Sequence, residues 1–123
     1  MIGLGVDLCE VARIERAAQK SDAFLERYYT EEERAYIKRR KGMGMQSAAA
    51  MYAAKEALLK ALGVGLSGGV ALREIAVCHD EGGAPRYALT GQAARRLSEL
   101  GATRAHLTLT HEAGFACAVA IIE

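Results

Sequence analysis

"YAAKEALLKALG", residues 52–63, is the stretch around which the rest of the chain must be arranged. At about 100° per residue, Met51, Ala54, Leu58, Ala61 and Leu62 fall on one face of a helix, with Tyr52, Glu56 and Lys60 in a stripe opposite. The pattern predicts a helix over about residues 47–62, stopped by Gly63 at a position that favours glycine. Glu56 and Lys60 stand one turn apart. The plain reading is a solvated ion pair worth about 0.3–0.5 kcal/mol. The alternative is half of a site for a metal ion and a phosphate, which needs a second carboxylate from elsewhere in the chain.

Asp7 is the candidate for that carboxylate. "IGLGVDL", residues 2–8, alternates with strand periodicity: Ile2, Leu4, Val6 and Leu8 on one face, Gly3, Gly5 and Asp7 on the other. The glycine face has no bulk, so a helix can lie close against it and bring Glu56 to Asp7. Mg2+ takes oxygen ligands and keeps several waters, so two carboxylates and a substrate phosphate suffice; Lys60 would add a point charge for that phosphate. "DLCE" equally has the spacing of a capping box, in which Asp7 would only start the following helix.

"EVARIERAAQK" has helical spacing, with Val11, Ile14 and Ala18 on one side. Ser21 or Asp22 can cap a short helix over "AFLERYY", and "TEEE" at 30–33 is a capping box that opens a helix toward Arg40. "KGMGM" breaks that pattern before the long helix, and "GVGLSGG" after it reads as a flexible loop. "LREIAVC" and "RYALT" read as strands around the turn "EGGAP". A helix over residues 91–100 follows, then two strands, "RAHLTLT" and "GFACAVAIIE", broken near "HEAG". Helices gather in the first half and strands in the second, apart from the opening strand, which must pair at long range. This is an α+β pattern with a largely antiparallel sheet packed against helices, in a single domain over residues 1–123.

Composition narrows the function. Sixteen basic and fifteen acidic residues leave a net charge of +1, so the molecule as a whole does not attract polyanions. "RAYIKRRK", residues 34–41, holds five basic residues and no acidic one. It is a candidate phosphate or nucleic-acid contact, or a solvated helix end; the aromatic interleaving of a single-strand platform is missing. Cys9, Cys78 and Cys117 are odd in number and far apart, which argues against a disulfide framework or structural zinc and suits a reducing cytoplasm. No apolar run approaches a membrane span and the first residues lack a targeting pattern, so the chain reads as soluble. His111, beside Thr110 where alternation stops, could donate to a phosphate or move a proton. His106 alternates with Thr108 and Thr110, and His79 looks exposed.

Taken in order, "GVDL" with Arg13 six residues after Asp7, "AAKEALLKALG", "GGAP" and "TLTHEAGFACAVAI" resemble holo-acyl-carrier-protein synthases of the 4′-phosphopantetheinyl transferase superfamily. The resemblance covers essentially the whole chain and implies that superfamily's fold. It implies transfer of the 4′-phosphopantetheine arm of coenzyme A to a serine of apo-acyl carrier protein, with release of adenosine 3′,5′-bisphosphate, in fatty acid biosynthesis. Asp7 and Glu56 would hold Mg2+ on the pyrophosphate, Lys60 would contact phosphate, and His111 and Thr110 would lie near the coenzyme A phosphates. The helix after the first strand would dock the carrier protein through Arg13, with Arg16, Lys20 and Arg27 adding charge. A homotrimer with sites between protomers is implied, with no nucleic acid or membrane partner. Met51 departs from the pattern, since an Arg that touches the coenzyme's 3′-phosphate is frequent there; Arg39 and Arg40 are the candidate replacements. Glu56, a metal-held water and His111 remain open as acceptors of the serine proton. The rival function is a non-catalytic nucleic-acid-binding module built on residues 34–41.

Overall fold

The computed structural model describes residues 1–65 and 68–123. Part of the expected flexible loop, positions 66 and 67, lies outside the described residues. In chain order the elements are β1 (Gly3–Glu10), α1 (Val11–Lys20), α2 (Ala23–Tyr28), α3 (Glu31–Arg39), α4 (Gly44–Ala61), β2 (Ile75–His79), β3 (Pro85–Leu89), α5 (Gly91–Glu99), β4 (Ala105–Glu112) and β5 (Phe115–Ile122).

Local signals set most boundaries. Thr30 and Glu33 form the reciprocal capping box of α3. Gly63 follows α4 at φ +71°, with Gly63 N–H on Lys60 O and Val64 N–H on Leu59 O, which is a Schellman closure. Gly101 closes α5 in the same way. Ala113 and Gly114, both at positive φ, make the two-residue turn of the β4–β5 hairpin.

Three expectations need correction. α4 begins at Gly44, inside the "KGMGM" break, because α3 and α4 touch there: a Cβ on Gly44 would sit 2.7 Å from Ile37 O. "LREIAVC" is not one strand. Leu72–Glu74 form a 3₁₀ turn before β2, held by the Glu74 carboxylate, which accepts from Ala71 N–H at 2.9 Å and Gln92 N–H at 3.0 Å. Strand β4 runs on through His111 to Glu112, into the segment where a break is expected, although the alternation of burial does end at Thr110.

The opening strand pairs at long range, as expected. The main sheet has the order β1-β5-β4 and β2 pairs with β3; both sheets are antiparallel. Its inner face is Gly3, Gly5, Asp7 and Cys9 on β1, Ala116, Ala118, Ala120 and Ile122 on β5, and Leu107, Leu109 and His111 on β4. These small residues let α4 sit in the middle of the molecule. Cβ atoms on Gly3 and Gly5 would overlap Ala61 O and Ala57 O of α4, so β1 lies directly on the helix backbone. The helix is buried on most of its circumference, not on one side, and alanines make that close surround possible.

Lys55 is fully buried on α4. Its ammonium donates to Glu33 Oε1 at 2.8 Å and Oε2 at 3.0 Å, to Leu72 O at 3.1 Å and to Ile75 O at 2.8 Å. Glu33 also accepts from Thr30 N–H and Val77 N–H, each at 2.8 Å. One ion pair thus ties α3, the 3₁₀ turn and β2 to the residue just before Glu56. Burial pushes the Lys55 ammonium below its ordinary value, and the Glu33 charge opposes that shift.

The outer face of the main sheet is uncovered. Leu4, Val6 and Leu8 are 56%, 53% and 61% exposed, opposite Ile121, Val119 and Cys117 in the β1–β5 register.

Candidate active site

β1 and α4 bring Asp7, Glu56 and Lys60 together. Asp7 sits two residues beyond Gly5 on the inner face, where the strand touches α4. It does not cap α1: the N-cap is Glu10, and no side chain bonds there. Lys60 ignores its helical neighbour Glu56. Its ammonium donates to Asp7 Oδ1 at 3.1 Å and to Val6 O at 2.9 Å. The solvated Glu56–Lys60 pair, the plain reading of the sequence, is therefore not formed.

Glu56 is left without a hydrogen bond among the described residues. Half-burial raises its carboxyl above the ordinary value, the Asp7 charge raises it further, and Lys60 and Arg13 oppose the rise. Two carboxylates thus influence one another across the β1–α4 contact, and the one ammonium there is bonded to Asp7. This donor set fits a hard divalent cation that also takes ligands from a phosphate-bearing substrate, because Mg2+ needs only one or two carboxylates in that setting. No cluster of three or more acidic, His or Cys ligands occurs among the described residues, so the protein alone offers no closed metal cage.

Beside Glu56 stands an aromatic wall that the sequence reading missed. Tyr52 lies 6.2 Å from Phe24 in a stacked pair and 6.3 Å from Tyr28 edge-on. The Arg13 guanidinium lies 5.3 Å from the centre of the Tyr52 ring. Tyr52 at helical spacing from Glu56 was the available signal; the contribution of α2 required the tertiary fold. Arg27 lines the hollow next to this wall with Phe24 and Tyr28. On α1, Arg16 is partly engaged by Glu10 at 3.5 Å, and Lys20 is exposed at the last turn.

His111 lies elsewhere. It lies two strands across from Cys9, one inner-face position beyond Asp7, so its Cα stands on the order of 12 Å from that of Asp7 by strand spacing and rise. It lines a separate pocket of about 280 Å3 with Tyr36, Arg40, Gln46, Met51 and His79. Gln46 Nε2 lies 3.2 Å from His111 Nδ1, and His111 Nε2 has no hydrogen bond among the described residues. His79 is not simply exposed: it stacks on Tyr36 at 4.3 Å, with the Arg39 and Arg40 guanidinium groups 5.8 and 5.9 Å from the Tyr36 ring centre. Burial and the Arg40 charge lower the His79 pKa, so it is neutral near pH 7. Thr110 alternates to the outer face beside Cys117, away from this pocket. The structure therefore makes two half-sites on opposite flanks of α4. It also splits the basic run: Arg40 lines this pocket while Arg34, Lys38 and Lys41 line another groove. That split removes the continuous stripe on which a nucleic-acid reading depends.

The model of the 4′-phosphopantetheinyl transferase superfamily matches residues 3–120, and the chain belongs to that superfamily. The holo-[acyl-carrier-protein] synthase of Treponema denticola is 43% identical over 123 residues, which cover 100% of this chain and 98% of the relative. Among solved structures, the synthase of Neisseria meningitidis matches with TM-score 0.89 at 32% identity, covering 100% of this chain and 98% of the other. The Helicobacter pylori synthase, solved in complex with coenzyme A, matches with TM-score 0.84 at 28% identity, covering 98% and 99%. Within the superfamily the chain falls with the holo-[acyl-carrier-protein] synthases.

Proposed function

We propose that Asp7, Glu56 and Lys60 carry out the reaction of this family, transfer of the 4′-phosphopantetheine arm of coenzyme A to a serine of apo-acyl carrier protein. The carrying observation is that the β1–α4 contact bonds Lys60 to Asp7 and sets both close enough to Glu56 for their charges to act on its carboxyl. Mg2+ bound by Asp7 and Glu56 would supply Lewis-acid stabilisation to the pyrophosphate as its bridging bond breaks. Lys60 contributes fixed positive charge at the same place, and its bond to Val6 O holds it there. The Tyr52, Phe24 and Tyr28 wall excludes water on one side. The basic face of α1, with Arg13 foremost, receives the acidic carrier protein, and Arg16, Lys20 and Arg27 steer it.

The second half-site joins the first across protomers. His111 Nε2 and the Arg39 and Arg40 guanidinium groups bind the nucleotide phosphates, which accounts for the missing charge at Met51. The uncovered apolar face of β1 and β5 supports an oligomer, since a contiguous exposed patch of this kind marks an interface. Three copies, as in the resemblance, would cover that face and bring His111 and Thr110 of one copy toward Asp7 of the next. No helix is long and apolar enough to cross a membrane among the described residues, and the free thiols agree with a reducing, cytoplasmic setting.

The test is incubation with coenzyme A, Mg2+ and an apo-carrier protein, read by mass spectrometry. One phosphopantetheine should be added to the carrier, and Asp7→Ala should abolish the addition while keeping the fold. A carrier that gains no mass, or an Asp7→Ala protein that turns over normally, would overturn the assignment.

A further inference from the structure

Arg34, Lys38 and Lys41 recur every three to four residues along one side of α3 and the turn after it. They rim a groove of about 420 Å3 between α2, α3 and α4. Its floor is Leu25, Ile37, Gly44 and Met45. The groove lies beside the point where α3 and α4 meet at Gly44, whose backbone lies against Ile37. Ile37 is buried, while Leu25 and Met45 are half-buried and present apolar surface with nothing over it. Arg34 is held at the rim by donating to Tyr29 O at 2.6 Å. Among the described residues, none of the three cations forms an ion pair with a carboxylate. The result is an apolar slot with positive charge at its mouth and no polar side chain on its floor. None of these residues belongs to the transfer site or to the pocket around His111.

We infer that the groove binds the anion of a medium- to long-chain fatty acid, with the alkyl chain on the Leu25–Ile37–Met45 floor and the carboxylate between Lys38 and Lys41. The charge pattern selects the class. The cations lie only along the rim, over an apolar floor, which suits an amphiphile whose anionic head rests on the rim with its chain on the floor below. The volume lies in the range of small-molecule sites. A nucleotide would find no aromatic platform or base-reading donor here, and a polar peptide would find no partner for its backbone on the floor. The inference is independent of the transfer mechanism, so the two succeed or fail separately.

The test uses the full chain with 13C-labelled methionine methyls. Only four methionines are present, so Met45 can be followed directly against Met51, which lies in the other pocket. Titration with octanoate, decanoate and dodecanoate below their micelle concentrations should shift the Met45 methyl saturably and leave Met51 in place. Affinity should rise by up to about four-fold per added methylene until the floor is covered. Dodecanol, without the charge, should bind about ten-fold more weakly, and Lys38→Glu with Lys41→Glu should weaken dodecanoate by a similar factor. Both lysines are exposed, so that variant should fold, which its urea midpoint checks. A Met45 signal that does not move, equal binding of dodecanol and dodecanoate, or unchanged affinity in the double variant would overturn the inference. So would an acidic amphipathic peptide that moves Met45 where dodecanoate does not, which would make the groove a protein-docking surface.

Discussion

Gly5→Ala isolates the contact on which the candidate site depends. The added methyl would overlap Ala57 O and stand 2.9 Å from both Ala57 C and Ala61 N. All three are backbone atoms of α4, so no side chain can swing away. β1 must retreat by about 1 Å to restore ordinary contact distances. Overpacking of this kind costs about 1–3 kcal/mol. The strand is bonded to β5 along its length, so it retreats as a unit and takes Asp7 with it. The 3.1 Å bond from Lys60 to Asp7 then opens beyond hydrogen-bonding range. A misplacement of about 1 Å at a reacting centre costs about 10²-fold in rate. Urea unfolding of Gly5→Ala should give a lower midpoint with an unchanged slope, and transfer by the folded protein should fall about 10²-fold with a weaker response to Mg2+. Gly42→Ala is the control: nothing lies within 4 Å of its added Cβ, so both measurements should stay near the parent values. A folded Gly5→Ala protein with the parent's rate and Mg2+ response would refute the claim that the β1–α4 approach sets the site.

Lys55→Met should strand the buried Glu33 carboxylate and lower urea stability by about 3–5 kcal/mol; adding Glu33→Gln to it should recover part of that loss, and additive losses would argue against a coupled pair. The Glu56 carboxyl is raised, so the folded state holds its proton more tightly than the unfolded chain does. Glu56 is therefore neutral to stability below the ordinary carboxylate range and destabilising above its raised value. Glu56→Gln should be slightly more stable than the parent at pH 7 in a chelator, with the difference fading on acidification, while Mg2+ binding by calorimetry should be lost. For the parent, Mg2+ affinity should begin to fall at a higher pH than an ordinary Glu would give. Arg13→Glu should raise the KM for carrier protein with little change in kcat; an unchanged KM would remove α1 from docking. Val6→Glu, on the uncovered face, should shift sedimentation toward the monomer and lower transfer together, and an oligomer that survives it would require another interface.

Some of the site was legible because it is written in short-range spacing. Tyr52, Glu56 and Lys60 share a helical stripe whatever the fold, and Asp7 shares a strand face with Gly3 and Gly5. The glycines even announced which face a helix would approach. Lys55 was not legible as a buried ion: its only signal was a charge in the same i, i+4 row as Met51 and Leu59, and its partner lies 22 residues away. Glu33 is legible as an N3 capping residue, but its second oxygen and the Val77 contact depend on how β2 packs.

The chain's local chemistry determined the elements. Period-two alternation made β1 a strand, the Thr30–Glu33 box started α3, glycines at positive φ stopped α4 and α5, and the Ala113–Gly114 turn closed the last hairpin. Tertiary structure alone decided that Lys60 reaches across to Asp7 instead of along its helix to Glu56. It also decided that Lys55 is buried, that His111 lies in a pocket apart from Asp7, and that the aliphatic side of β1 is left open. The physical reason is that spacing along a helix or strand fixes only which residues share a face. What that face meets depends on close approach between segments about fifty residues apart in sequence, here permitted by the small residues of β1 and β5 against the backbone of α4.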